Sequence, residues 1–594
     1  VEVAAYVALG ILAAGLRWFQ LGAKPLSEGE AAQALAAFRF VQAGIQTAPG
    51  GTIPALFTSN VLGFSLVGAS DISARWLPAL AGFLLTLLPY WLRHRLGRIG
   101  ALAASLLLAL SPSVVHFSRV LDGAVVVGAC ALAIAVGWIN YSDARKLGYL
   151  YLVAAALGLG LCAGPMIFTL LLIAAAFAAL LYVAAQLPGF GAGWSSLQGA
   201  WRTAAGEKDV LLKAGAVLAA SFGLVATTFV LHPAGVGNAA DLIGAWVLGF
   251  APEEGGNPAI YPLLLLARYE PLILLFGAVE MGRAVWKRQT GHSGKSQTPS
   301  SFPHTAFLTF WTIAAVLVVS ISGPRPAGNI LLAVVPLALL AGQGIERAGR
   351  WLVRRSVWTE AALVAAVMLG LLVFFYLQIA AYGLMDSTST VTIGGLTLYA
   401  STSYLLLASV ALLLLAALEV GAWYWRGQGV ALGGAWLAAL VALGLFGLKA
   451  SWGLSFVHAS NARELMLGQA TEPEVRVMVE DLRTVSLNQS GDAHQLPITV
   501  DAGTGPVIAW YLREFRNQAL VEGLSEPPDT MVAVTTDMDD PPIGVTFQGQ
   551  GFPLRSYWLP WGLSGQDLVR WLLFTDGPPP VVDREVVLWV ASTP

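Results

Sequence analysis

The chain has 594 residues, 56% of them hydrophobic and only 11% charged, with a mean hydropathy of +0.69. A soluble globular domain carries about a quarter charged residues, so this composition excludes one and indicates a polytopic membrane protein. Lysine and arginine number 33 against 35 aspartates and glutamates, and the resulting net charge of −2 argues against a nucleic-acid partner.

A membrane-spanning helix needs about 20 apolar residues, and about thirteen segments meet that pattern. They lie near 3–21, 74–92, 99–115, 120–139, 147–163, 166–186, 211–231, 260–282, 305–322, 328–345, 357–378, 400–424 and 430–449. The chain starts at Val1 without Met, which implies a short missing N-terminal piece. Segment 3–21 lacks a small-residue cleavage pattern and reads as a retained helix rather than a signal peptide. With the N-terminus inside, the inner loops hold Arg93, Arg95, Arg98, Arg145, Lys146, Arg283, Lys287, Arg347, Arg350 and Arg426. The outer loops hold acids: Glu28, Glu30, Asp71, Asp241, Glu253, Glu254 and Asp386. That is the positive-inside pattern, and it puts the C-terminus outside.

The first outer loop, 22–73, is the most informative stretch. Ser27 with Glu30 three residues later is a capping box, so a helix starts there and lies over the membrane through Phe40. Glu28 and Glu30 are then either acids favoured by a helix dipole or a general base and a metal-binding carboxylate at a cavity mouth. Residues 53–68 are apolar but short, and read as a re-entrant or interfacial helix. Next come Ala74-Arg75-Trp76-Leu77-Pro78 and, after Ser111-Pro112, Ser118-Arg119-x-x-Asp122. Arg119 and Asp122 are spaced to pair with each other, or to hold a carrier phosphate and orient a site.

Cys130 and Cys162 both lie in apolar spans and define no disulfide framework. Glu253-Glu254-Gly-Gly-Asn257-Pro258 is an acidic outer turn. Arg268-Tyr269-Glu270-Pro271 places two charges inside a span that Pro271 breaks, and such charges need partners or a water-filled cavity. Residues 289–304 read as a flexible inner linker, and Arg325 as a lone outer cation between two spans. No histidine has zinc spacing, and no P-loop, dinucleotide fingerprint or nucleophile elbow occurs.

After about Ala450 the composition turns polar. Apolar runs at 496–500, 531–534 and 586–590 alternate with helix-like stretches near 472–485, 505–516 and 565–574, which predicts a small α/β domain over 456–594. Its aromatic runs, Trp510-Tyr511-Leu512-Arg513 and Tyr557-Trp558-Leu559-Pro560-Trp561, are core, or dock on the membrane domain, or stack on sugars.

In order, these motifs resemble the GT-C class of polytopic glycosyltransferases. The closest likeness is to the flippase-activity-associated membrane proteins, which are similar to dolichyl- or polyprenyl-phosphate-mannose mannosyltransferases. The likeness rests on the first loop with Ala74-Arg75-Trp-Leu-Pro, on Ser118-Arg119 to Asp122, on Gly255-Gly-Asn-Pro through Tyr269-Glu270-Pro, and on Trp510-Tyr-Leu-Arg513 with Tyr557-Trp558. The resemblance implies a GT-C-like transmembrane domain over 1–455 with an extracytoplasmic α/β domain, in the plasma membrane. It implies transfer of a sugar from a polyprenyl-phosphate carrier to a lipid or surface glycoprotein. Glu30, Glu28 and Asp122 are then the catalytic candidates, and Arg119, Arg268, Tyr269, Glu270 and Arg325 the substrate-binding ones. A divalent ion, Mg or Mn, would sit at Glu30. The family's first loop carries an adjacent Asp-Glu pair, whereas this chain reads Gly29-Glu30. That departure keeps a second class open: a non-catalytic subunit or flippase-associated accessory of a larger membrane complex.

Overall fold

The computed structural model describes residues 2–43, 51–187, 192–206, 208–253, 256–289, 302–385, 390–393, 396–524, 526–536 and 547–591. Glu254, Gly255, Asp386 and most of the 289–304 linker lie outside these residues.

The helices of the membrane domain run in chain order as follows. The first group is α1 (Glu2–Trp18), α2 (Glu28–Ala43), α3 (Pro54–Val67), α4 (Asp71–Ala74), α5 (Trp76–Leu87), α6 (Arg93–Leu96), α7 (Arg98–Leu110) and α8 (Pro112–Phe117). Then come α9 (Ala124–Ala144), α10 (Leu147–Leu161), α11 (Met166–Ala185), α12 (Ala192–Gly206), α13 (Lys208–Ala226) and α14 (Gly235–Leu248). The last group is α15 (Tyr261–Tyr269), α16 (Pro271–Gln289), α17 (His304–Ile321), α18 (Leu331–Arg355), α19 (Trp358–Leu384), α20 (Ala400–Arg426) and α21 (Gln428–Trp452).

All thirteen expected segments are helical, but not all are full spans. Among the described residues eight helices are long and apolar enough to cross a membrane, or nine if α15 and α16, bent by 108°, count as one. Two of the four shortfalls have sequence causes, and the other two are short helices. Pro89 turns the end of 74–92 into a 3-10 turn at Leu88–Leu92, and Ser111-Pro112 splits 99–115 into α7 and α8. Helices α1 and α10 have 17 and 15 residues. Helix α3 confirms a short helix at 53–68; its 14 residues rise only about 21 Å, too little for a hydrocarbon core of about 30 Å. Two further helices, α12 and α14, were not expected.

Burial follows the hydrophobic pattern. Helix α9 is apolar on all sides and sits in the middle of the bundle, together with the first two-thirds of α18. Helices α19, α20 and α21 pack on one another and turn side chains such as Leu363, Leu413 and Leu445 outward, as hydrocarbon surroundings favour. On the bundle face away from the sheet domain, Arg95 pairs with Asp143 and Arg347 with Glu280, while Glu346 accepts the Gly100 N–H at 2.7 Å and caps α7.

Beyond α21 the chain forms β3 (Gln469–Thr471), α22 (Glu474–Ser490), β4 (Ile498–Asp501), α23 (Pro506–Tyr511), β5 (Gln518–Val521), β6 (Val532–Thr536), β7 (Phe547–Tyr557), α24 (Gly565–Phe574) and β8 (Val581–Ala591). A small hairpin, β1 (Thr390–Ile393) with β2 (Leu396–Tyr399), precedes α20. The six-stranded sheet has the order β3-β7-β8-β6-β4-β5, with β4 parallel to both β5 and β6 and the remaining pairs antiparallel. The expected α/β domain is therefore present.

Helices α7 and α18 meet backbone to backbone. A Cβ added at Gly342 would collide with the Gly100 carbonyl and lie 2.8 Å from the Ala104 Cβ, whereas one at Gly349, a turn or two further along α18, would meet nothing within 4 Å. Gly342→Ala is expected to lower stability by about 1–3 kcal/mol through overpacking. Gly349→Ala should leave the thermal unfolding midpoint in detergent unchanged or slightly raised.

Candidate functional site

The 22–73 loop, the α8–α9 turn and the sheet domain converge on one face of the bundle. At their centre Glu30 and Arg75 form a buried, two-pronged ion pair. Arg75 Nε donates to Glu30 Oε1 at 2.7 Å and Nη2 to Oε2 at 2.9 Å, with the two side chains 1% and 2% exposed. The remaining Arg75 donors reach the carbonyls of Leu21, Lys24 and Pro25. All five guanidinium N–H groups are thereby satisfied. Glu30 also accepts the Ser27 N–H at 2.9 Å, half of the expected capping box, and the Leu121 N–H at 2.7 Å. Burial alone would push the Glu30 carboxyl up, but Arg75, with help from Lys24 and the Ser27 amide, holds it down to about 2.

This geometry gives Glu30 different work from that expected of it. A carboxylate has about four acceptor positions, and here all four are taken by Arg75, Ser27 and Leu121. No lone pair is left for a metal ion or an acceptor proton. Among the described residues no group of three His, Cys, Asp or Glu side chains has metal-site geometry either. The donor set at Glu30 does not fit a divalent ion, and no step is assigned to one.

Glu28 turns the other way, toward the sheet domain. It accepts from Arg584 at 2.7 Å and from Arg555, joining α2 to β7 and β8. Asp71, which the sequence marks only as an outer acid, is the second tie. It accepts from Trp510 Nε1 and the Tyr511 hydroxyl, each at 2.8 Å, and from Arg476 at 2.6 Å. The Trp510–Arg513 run therefore docks on the membrane domain, with Trp510 fully buried and the Arg513 guanidinium 3.8 Å from the centre of its ring.

The expected Arg119–Asp122 pair does not form. Arg119 instead donates to the carbonyls of Leu16, Arg17, Phe19 and Gln20 and lies over the Phe456 ring at 4.4 Å. A cation on the last carbonyls of α1 is the placement that its dipole favours. Asp122 precedes α9 and accepts the Ala124 N–H at 2.6 Å. Burial, and to a lesser degree Glu30, raise its carboxyl above the ordinary range.

The other candidates are not brought to this place. Arg268 donates to the carbonyls of Trp571 and Leu572 at the end of α24, Tyr269 donates to Glu464 at 2.6 Å, and both thus fasten the sheet domain. Glu270, at the α15–α16 break, accepts from the Ser111 hydroxyl and from the Ser113 N–H at 3.0 Å. Arg325 folds onto the carbonyls of Ser320, Gly323 and Asn257.

Sequence reasoning missed Lys24. It lines a small pocket, with a volume of ≈ 30 Å³, at the end of α1, together with Arg75, His116, Arg119 and Phe456. The Lys24 ammonium makes no hydrogen bond or ion pair to any described residue. Burial, opposed by Glu30 and reinforced by Arg75 and Arg119, brings its ammonium down to about 8. Burial, with Lys24 close by, takes His116 down to about 3, so its ring is neutral at pH 7. The arrangement is a half-enclosed cationic pocket in which the Lys24 ammonium and the Ser455 hydroxyl are uncommitted among the described residues, which suits an anion. The signal for it was the lone cation in Leu21-Gly-Ala-Lys24-Pro25, directly before the acids.

Residues 54–188 match the family model described as dolichyl-phosphate-mannose-protein mannosyltransferase. Over that stretch the match agrees with the resemblance to the GT-C membrane glycosyltransferases. Three solved structures are similar to this chain. One is ArnT from Cupriavidus metallidurans bound to undecaprenyl phosphate, at 14% identity over 88% of this chain and 86% of that one, with a TM-score of 0.45. Another is the Archaeoglobus fulgidus oligosaccharyltransferase in its apo form, at 12% identity over 90% and 69%, with a TM-score of 0.46. The arabinosyltransferase EmbB from Mycobacterium smegmatis is similar at 15% identity over 76% and 41%, with a TM-score of 0.43. No curated protein matches the chain.

The Glu30–Arg75 pair has a pH signature. Its folded-state carboxyl value, about 2, lies below the ordinary glutamate value of about 4.3, so the pair contributes fully above that value and its contribution is lost as pH falls toward 2. Glu30→Gln leaves Arg75 buried without a counter-charge and is expected to cost about 3 kcal/mol at pH 7. In thermal unfolding the gap between variant and wild type should narrow below about pH 4. A gap independent of pH would show that the pair does not provide the stability.

Proposed function

We propose that the chain is an inverting glycosyltransferase of the plasma membrane, with the sheet domain outside and the N-terminus in the cytoplasm. It moves a sugar from a polyprenyl-phosphate carrier to a hydroxyl of a lipid or surface glycoprotein. The observation that supports this reading best is the cationic pocket, where the Lys24 ammonium has no partner among the described residues and Arg119 lies alongside. In this reading the carrier phosphate binds Lys24, with the Arg119 and Arg75 charges adding to the field. Its isoprenoid tail leaves along the apolar helices.

Transfer breaks the bond between the sugar C1 and a phosphate oxygen and forms a bond from C1 to the acceptor oxygen on the opposite side. The departing phosphate gains a negative charge, and fixed cations lower the energy of the transition state in which that charge develops. The acceptor proton goes to Asp122, whose Oδ1 is held by Ala124 while Oδ2 has no described partner. Glu30 is a positioning residue: by fixing the Leu121 N–H it sets the turn that presents Asp122. Arg268, Tyr269, Glu270 and Arg325 maintain the scaffold.

One observation favours the accessory reading. A Cβ built at Gly29 meets nothing within 4 Å, so the side chain usual there in the family is absent without being displaced by packing. Gly29→Asp therefore separates the two readings. In a transferase using Asp122, Asp122→Asn lowers turnover by about a hundredfold or more, and Gly29→Asp does not create the activity. If the wild type releases no sugar from any polyprenyl-phosphate donor while Gly29→Asp does, the native chain is the accessory.

The pocket makes its own prediction. Lys24→Ala should weaken binding of a polyprenyl-phosphate sugar about ten- to a hundredfold, the worth of one charge-assisted hydrogen bond. Because Lys24 loses its proton near pH 8, wild-type binding should weaken above that pH, and Lys24→Arg should abolish the pH dependence.

A further inference from the structure

A second, larger cavity lies beside the cationic pocket, between the membrane domain and the sheet domain. It is a groove with a volume of ≈ 750 Å³, within the roughly 300–1,000 Å³ of an ordinary small-molecule cleft. Gln20, Leu21 and Ala23 line both cavities, so the end of α1 is their common wall. Gln20 holds a left-handed backbone, φ 51°, with its carbonyl pinned by Arg119 and its side chain exposed. A non-glycine residue held in that conformation stores strain of order 1 kcal/mol, which the surrounding contacts must outweigh.

The chemistry of the groove is specific. Its walls carry Arg476, Arg483 and Arg513 against Asp71, Glu480 and Glu514, three cations facing three anions. They are already paired with one another: Arg476 with Asp71 at 2.6 Å, Arg483 with Glu514 at 3.0 Å and with Glu480 at 3.4 Å. Two aromatic rings, Trp18 and Tyr511, join them, and Trp18 is 40% exposed. A polyanion finds no surplus positive charge here, and an apolar chain would strand six charged groups. A neutral polyhydroxylated chain fits both features. Its hydroxyls both donate to carboxylates and accept from guanidinium groups, and the apolar faces of its rings lie on aromatics.

We propose that this groove binds a neutral glycan as acceptor and that Gln20 stands where its terminal hydroxyl passes to the cationic pocket. This deepens the transferase reading and rests on it. The acceptor is then a sugar chain, bound across the seam of the two domains, rather than a peptide side chain or a single lipid headgroup.

The test measures binding without turnover. Saturation-transfer NMR on the full chain in nanodiscs would compare linear mannotetraose and arabinotetraose with tetragalacturonate and a neutral decapeptide. The expected result is saturable binding of at least one neutral tetrasaccharide, weakened at least about fivefold by Trp18→Ala and by Glu480→Gln, the loss of one stacking or hydrogen-bonding partner. Glu480 is exposed and its replacement keeps the fold should Trp18→Ala fail. Binding of the peptide or the polyanion in place of both neutral sugars overturns the proposal, as does neutral-sugar binding that neither variant alters, or no binding at all. Sugar release from the polyprenyl-phosphate donor by the same wild-type preparation is a separate readout. Its absence would undo the transferase reading whatever the groove does, and its presence without glycan binding would undo only the groove.

Discussion

One buried ion pair organises the face where the membrane and sheet domains meet. Glu30 and Arg75 are 45 residues apart, yet they share two hydrogen bonds, and nearby backbone fills the remaining positions of both. Removing either charge would leave the other in a place that water does not reach, which is far more costly than losing an exposed pair. Through its remaining bonds the pair also fixes backbone. Arg75 collects the carbonyls of Leu21, Lys24 and Pro25, and Glu30 collects the amides of Ser27 and Leu121. The position of Lys24, and that of the turn before Asp122, thus depend on it.

The same economy appears in the other cations of this face. Arg119, Arg268, Arg325 and Arg476 each donate to backbone carbonyls at helix ends or turns. Near hydrocarbon an unpaired carbonyl is expensive, and a guanidinium with five donors can satisfy several at once. The consequence for chemistry is that most arginines here are already employed. Lys24, with a single compact ammonium and no described partner, is a cation left to meet a ligand at the pocket.

Much of the architecture was legible because apolar runs of about 20 residues and loop charge are strong signals. The positions of the helices and the switch to an α/β domain near residue 456 could be read from them. Helix lengths were less legible, since Pro89 and Pro112 cut two runs whose composition stays apolar. Helix α14 was hidden in a stretch, 235–248, that Gly, Asn and Asp made look like a loop. At this face the sequence singled out segments that the structure brings together, but misassigned their partners. Arg119 and Asp122 are spaced to pair along a helix, but the chain turns between α8 and α9, so that rule does not apply. Arg75 appeared only as part of a motif, because nothing local announces a partner 45 residues earlier. Pairings of that kind are decided by tertiary packing.

Asp71 gives the seam between the domains a mechanical character. It receives bonds from Trp510, Tyr511 and Arg476, and it opens α4, a single turn of helix that ends directly before Arg75. Four residues wound into one turn transmit displacement with little slack. Arg75 follows α4 directly and holds the backbone that carries Lys24. The fold thus runs one short chain of contacts from the outer domain, through Asp71 and α4, to the charges around the pocket.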